Sequence, residues 1–119
     1  MSFYISAIIP SFNRYEFLLN AVNSVKNQSI ENYEIIIIND GSTDSDYYTN
    51  SFNDSNIQQI DLKENQKIKN GFSSDAIRNI GISEAKGKYV AFLDDDDVWM
   101  PDKLEIQLDI LEKSNNKLS

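Results

Sequence analysis

Four aspartates, Asp94-Asp95-Asp96-Asp97, stand side by side directly after the apolar run Tyr89-Val-Ala-Phe-Leu93. Adjacent carboxylates repel one another, and at the end of a packed strand that repulsion is costly unless a cation offsets it. A hard divalent ion gives such a cluster a purpose: one or two carboxylates hold it while the phosphate oxygens of a substrate complete its shell. Two other readings compete. A solvated acidic turn needs no ion and would use Asp97 to cap the helix after Pro101. An EF-hand loop would use Asp94, Asp96 and Glu105, but its sixth position, which demands glycine, is Trp99, so that reading fails.

Three further places carry polar chemistry. Asp40 follows Ile35-Ile-Ile-Ile38 and Asn39, which brings its carboxylate to the top of a strand, where it can accept a hydrogen bond from a base N–H. Taken alone it is equally an Asx-turn residue, and Ser42, Thr43 and Asp44 behind it read as capping residues. Pro10-Ser11-Phe12-Asn13-Arg14 combines a chain break, an aromatic face and an amide, which suits a flat base as well as a plain helix start. Arg78, three residues after Asp75, is either half of a surface ion pair or a cation for a carboxylate or phosphate.

Composition narrows the field. The chain has 119 residues, 40% hydrophobic and 25% charged, which suits one soluble domain with one core. Lysine and arginine total 11 against 19 acidic residues, and the net charge of -8 repels a polyanion, so nucleic acid is excluded as the expected partner. Cysteine and histidine are both missing, which rules out Ser-His and Cys-His catalysis, thiolate-bound zinc and disulfides. The first ten residues do not form a signal peptide, and no apolar run approaches the ~18 residues of a membrane span, which makes the cytoplasm the default location. Neither Gly-x-Gly-x-x-Gly nor Gly-Lys-Ser/Thr occurs, so phosphate is held by something other than a glycine-rich loop.

The elements that must position these residues follow from periodicity. Phe3 to Ile9 reads as a strand stopped by Pro10, and Glu34 to Ile38 as a strand covered on both faces. Asn56 to Leu62 reads as a third strand, and Lys88 to Leu93 as a fourth of buried type. Apolar residues at helical spacing predict helices over Tyr15 to Gln28, Ser73 to Ala85 and after Pro101, with a weaker helix from about Thr43 to Phe52. Lys63 to Gly71, polar and without periodicity, reads as a mobile loop. The alternation predicts an α/β fold with a largely parallel sheet flanked by helices, in which ligands sit at the carboxyl ends of the strands. Three polar clusters fall at such ends and are expected to share one crevice.

These residues together resemble the family 2 glycosyltransferases with the GT-A fold. The resemblance runs through Ile8-Ile-Pro-Ser-Phe-Asn-Arg14, Ile35-Ile-Ile-Ile-Asn-Asp-Gly-Ser-Thr-Asp44, Ala76-Ile-Arg-Asn-Ile-Gly81 and Tyr89-Val-Ala-Phe-Leu-Asp-Asp-Asp-Asp-Val-Trp-Met-Pro-Asp-Lys-Leu104. It implies a Rossmann-like nucleotide-sugar-binding portion over residues 1–119, with the acceptor-binding part of a domain roughly twice this length lying outside it. It implies that Pro10, Phe12 and Asn13 line a base pocket, Phe12 replacing the frequent tyrosine, and that Asp40 contacts the base, usually uracil. Arg78 then lies near the base and diphosphate, and the Asp-x-Asp motif falls on Asp94 and Asp96 with Asp95 between. Asp94 is expected near the ribose or metal, Asp95 on the donor, and Asp96 on Mn²⁺ or Mg²⁺, although all four positions are acidic. The implied reaction is an inverting transfer from a nucleoside-diphosphate sugar, a UDP-sugar by preference, to the hydroxyl of a saccharide or lipid-linked acceptor. Its base lies outside this chain, and the parent enzyme is cytoplasmic or membrane-peripheral.

Two other classes stay open on sequence grounds: a non-catalytic nucleotide- or metal-binding module with the same fold, and a receiver-like signalling domain. The latter needs an acidic pair after strand 1, where this chain has Pro-Ser-Phe-Asn.

Overall fold

The computed structural model describes residues 3–50, 52–63 and 75–118. Its elements run β1 (Phe3–Ser11), α1 (Tyr15–Lys26), β2 (Tyr33–Asn39), α2 (Asp46–Thr49), β3 (Ile57–Asp61), α3 (Asp75–Glu84), β4 (Gly87–Phe92) and α4 (Lys103–Leu118). The strands form one sheet in the order β3-β2-β1-β4, with every pairing parallel. The α/β architecture expected from the alternation of elements is therefore present. Among the described residues, no helix is long and apolar enough to cross a membrane.

The unbroken isoleucine runs are explained by a sheet covered on both faces. Side chains alternate along a strand, so Ile5, Ala7 and Ile9 of β1 and Ile35 and Ile37 of β2 share one face, packed with Leu18, Ala21, Val22 and Val25 of α1 and Leu104 and Leu108 of α4. Ile8, Ile36 and Ile38 project the other way onto Ile77 of α3. α3 comes close enough that a methyl added at Gly81 would stand 2.5 Å from Ile8 Cγ2.

β1 does not stop at Pro10 but continues to Ser11. Ile8 accepts a bond from the Leu93 amide on the β4 side, and two residues on, the donor that Pro10 lacks faces the same side. The β1–β4 pairing already ends at Ile8 and Phe92, so no partner is lost. α2 is shorter than the pattern predicts, because Asn50 is extended (φ -103°, ψ 146°) and the Thr-Asn-Ser-Phe-Asn stretch competes poorly for helix. β4 alternates between half-buried and exposed residues rather than being buried throughout, since α3 packs over β1 and β2 and leaves that face of β4 less covered, with Val90 and Phe92 39% and 40% exposed. Most of the expected 63–71 loop and the predicted helix start at Ser73 lie outside the described residues.

At the amino ends of the strands, a buried polar knot fixes the start of β4. Glu34 Oε2 accepts from Ser6 Oγ (2.5 Å) and from the Lys86 amide (2.6 Å), and Ser6 Oγ accepts from the Gly87 amide (2.8 Å). A side chain at Gly87 would meet the Ser6 backbone nitrogen at 2.6 Å, so β4 can lie this close only with glycine there.

Candidate functional site

At the carboxyl ends of the strands, the loop after β1 is stitched to the loop after β2. Asn13 takes a left-handed conformation (φ 52°), which asparagine tolerates better than most residues. Its amide donates to Ser42 Oγ at 2.9 Å, and its Oδ1 accepts from the amides of Thr43 (2.9 Å) and Asp44 (3.0 Å). From below, the buried Asn39 Oδ1 accepts from the Ser42 amide at 3.0 Å, while its Nδ2 donates to Asp61 Oδ1 at 2.9 Å. Gly41 supplies the other left-handed residue, φ 70°, that this turn requires. Asp40 is buried at the base of the turn, and its amide donates to the Ser11 carbonyl at 2.9 Å.

The acidic run after β4 is stitched to the same place. Asp95 turns inward: its Oδ2 accepts from Ser11 Oγ at 3.0 Å and from the Phe12 amide at 3.3 Å. Burial raises its pKa above the ordinary carboxylate value, a shift opposed by those two hydrogen bonds and by the Arg14 charge, and reinforced by Asp96. Ser11 Oγ also lies 2.6 Å from Tyr47 Oη, which in turn accepts from the Arg14 amide at 2.9 Å. The turn is closed by the Asp97 amide donating to the Asp94 carbonyl at 3.0 Å.

The other three carboxylates face outward. Oxygens of Asp94, Asp96 and Asp97 all lie within 4.8 Å of one another, and all three residues are exposed. Three hard oxygen donors at this spacing, with no sulfur or imidazole among them, fit Mg²⁺ or Mn²⁺. Two arginines flank them. Arg14 Nη1 is 3.0 Å from Asp96 Oδ2 and 3.6 Å from Asp95 Oδ1, and Arg78 Nη2 is 3.6 Å from Asp94 Oδ1. The Arg78 guanidinium lies over the Phe92 ring at 5.3 Å, and its buried Nε meets no acceptor among the described residues. It borders a hollow of about 270 Å³ shared with Phe92, Asp94, Asp97, Trp99 and Lys103.

The structure thus brings Phe12, Asn13, Asp40 and the acidic turn to one end of the sheet, with Pro10 in the strand behind them and Arg78 reaching Asp94 from α3. The hollow beside Arg78 has neither Asn13 nor Asp40 in its wall. Asp95, expected on the donor, turns one carboxylate oxygen, Oδ2, to Ser11 and Phe12 and thereby also holds the turn, while Oδ1 faces Arg14. Asp97 does not cap α4. That cap comes from Gln28, just beyond α1, whose Oε1 accepts from the Leu104 amide at 3.0 Å while its Nε2 donates to the Met100 carbonyl at 2.6 Å. Ser11 and Arg14, which the sequence placed in the Pro10–Arg14 segment without a role of their own, and Ser42 and Thr43, read as capping residues, make contacts that hold this arrangement together. Ser11 carried a signal, a small hydroxyl between an apolar strand and an aromatic, whereas Tyr47 sits in an unpatterned stretch and carried none.

Comparisons with known proteins identify the family and the fold. The family described as Glycosyl transferase family 2 matches residues 6–118. An uncharacterized glycosyltransferase of Rickettsia bellii is 42% identical over 113 residues, 93% of this chain and 15% of that protein. The Escherichia coli UDP-Glc:alpha-D-GlcNAc-diphosphoundecaprenol beta-1,3-glucosyltransferase WfgD is 32% identical over 95% of this chain and 43% of its own length. The chain therefore spans less than half the length of each of these relatives. Among solved structures, S. aureus TarS 1-349 in complex with UDP superposes with a TM-score of 0.76 at 23% identity, covering 94% of this chain and 33% of that one. A mannosyltransferase from Pyrobaculum calidifontis, in complex with GDP-Man and Mn²⁺, does so at 0.74 and 18%, covering 93% and 33%. These likenesses make the fold GT-A.

Proposed function

The chain belongs to glycosyl transferase family 2, and on that premise we propose that it is the donor-binding part of an inverting transferase acting on a nucleoside-diphosphate sugar. The donor is a UDP-sugar, supported by the UDP held in the TarS structure and the UDP-Glc in the E. coli relative's name. The acceptor is the hydroxyl of a saccharide or lipid-linked saccharide, bound by a part of the parent outside this chain. The products serve polysaccharide or glycoconjugate synthesis, with the parent in the cytoplasm or at the membrane surface.

The observation that carries this reading is the stitching of three strand ends. Ser11 and Phe12 bind Asp95, Asn13 binds Thr43 and Asp44, and the outward carboxylates of the acidic turn are thereby held beside the end of β1. In this reading Pro10, Phe12 and Asn13 border the base, and Asp40 accepts from a base N–H. Asp94 and Asp96 would hold Mn²⁺ or Mg²⁺, and Arg78, whose Nε meets no acceptor among the described residues, faces the diphosphate. An ion held there would supply positive charge to the departing diphosphate. The anomeric carbon loses its bond to the diphosphate and gains one to the acceptor oxygen from the opposite side, and the acceptor proton passes to a base outside this chain.

Isothermal titration of the chain with UDP, with and without Mn²⁺, tests the reading. Binding strengthened by the ion is the expected result, with GDP weaker than UDP. No heat in either condition defeats it.

A further inference from the structure

We propose that Arg14 is a positioning residue, an exchangeable counter-cation that neutralises Asp96 when no ion is bound and withdraws onto Asp95 when the ion arrives. The inference rests on the reading of Asp96 as a metal ligand given above. Its own observations concern how Arg14 is held and what it can reach.

The backbone of Arg14 is immobilised from several directions. Its amide donates to Tyr47 Oη at 2.9 Å, and its carbonyl accepts from the Leu18 amide at 2.8 Å. Asn13 before it is pinned to Ser42 at 2.9 Å. Only the side chain is free to choose a partner, and it has two. The nearer is Asp96 at 3.0 Å, in a pair whose side chains are 52% and 50% exposed. The farther is Asp95 Oδ1 at 3.6 Å, on a side chain only 10% exposed. Because Asp95 Oδ2 already holds Ser11 and Phe12, Oδ1 is the oxygen left facing the guanidinium. A small rotation therefore moves the charge from the outward carboxylate to the inward one.

The energetics favour exchange over a permanent lock. An exposed ion pair is weak, equivalent to about a two- to fivefold factor in an equilibrium, so a divalent ion displaces it readily. While the pair lasts, it lowers the repulsion among four neighbouring carboxylates.

The test titrates the 119-residue chain with MnCl₂, following free Mn²⁺ by electron paramagnetic resonance at low salt, with circular dichroism to verify folding. Arg14→Gln should bind Mn²⁺ about two- to fivefold more tightly than the parent. Arg14→Lys should fall between them, and Lys26→Gln, which removes the same charge at the far end of α1, should change little. Adding diamagnetic Mg²⁺ should shift the Arg14 side-chain Nε resonance in the parent and not in Asp96→Asn. Unchanged or weaker binding by Arg14→Gln overturns the inference, as does an equal gain in Lys26→Gln or an unmoved Nε resonance. If the parent and Asp96→Asn take up Mn²⁺ equally, or neither does, the metal reading itself fails and takes this inference with it.

Discussion

Ser11 donates its hydroxyl proton to Asp95 Oδ2 across 3.0 Å and so ties the end of the first strand to a turn 84 residues further along the chain. With that proton committed, the 2.6 Å contact with Tyr47 must run from Tyr47 to Ser11, and the Arg14 amide completes the series by donating to Tyr47. One buried hydroxyl thus orients three segments.

Ser11→Ala removes both bonds and leaves Tyr47 without that acceptor. The expected loss is about 1–3 kcal/mol, the range for leaving buried polar groups unmet. Urea unfolding measures it, and a change under ~0.3 kcal/mol means that the network does not hold the turn.

Two glycines separate side-chain from backbone constraint. The atoms nearest an alanine methyl at Gly81 belong to the Ile8 side chain, whereas alanine at Gly87 meets the Ser6 backbone nitrogen. Gly81→Ala should cost about 1–3 kcal/mol of crowding, less up to ~1 kcal/mol regained from helix propensity. Gly87→Ala should cost more, because a strand must move. Thermal melts of the two variants in parallel decide it, and equal values contradict the argument.

Alkaline pH should expose Tyr15. Burial raises its pKa above the ordinary tyrosine value of about 10, so above that pH the folded state keeps a proton that the unfolded state releases. This contribution is complete below that pH and declines as pH rises through the raised value. Tyr15→Phe keeps the ring and its edge-on contact with Tyr47, and should flatten this part of the alkaline decline in melts from about pH 8 to about pH 11.

The acidic run should divide by orientation. Asp96→Asn and Asp94→Asn are each expected to weaken Mn²⁺ binding about tenfold, equivalent to about 1.4 kcal/mol. Asp95→Asn, altering an inward carboxylate, should weaken it less. Calorimetric titration ranks the three, and Asp95→Asn as the most damaging would reverse the assignment.

What could be read from the residues was what periodicity encodes. The runs Ile35–Ile38 and Tyr89–Leu93 placed β2 and β4, and the spacing from Leu18 to Val25 placed the buried face of α1. Orientation within an unpatterned run was not readable, because four identical side chains differ only in what the fold sets beside them. Asp95 is inward because Ser11 and Phe12 are there, a relationship between distant segments. The same holds for Gln28, a polar residue among helical neighbours, whose amide finds its partners at Met100 and Leu104. Tyr89–Leu93 misled in one respect: its apolar run suggested cover on both faces, but α3 packs over β1 and β2 and leaves Val90 and Phe92 partly exposed.

The Gln28 contact has a mechanical consequence. The segment from Asp94 to Leu104 is moored at its near end by Ser11 and Phe12 and at its far end by Gln28, like a footbridge fixed on both banks. Its span cannot swing as a flap without breaking one mooring. Freedom is left to the outward side chains along the railing, so capture of a ligand there forfeits few degrees of freedom and leaves the roadway where it stood.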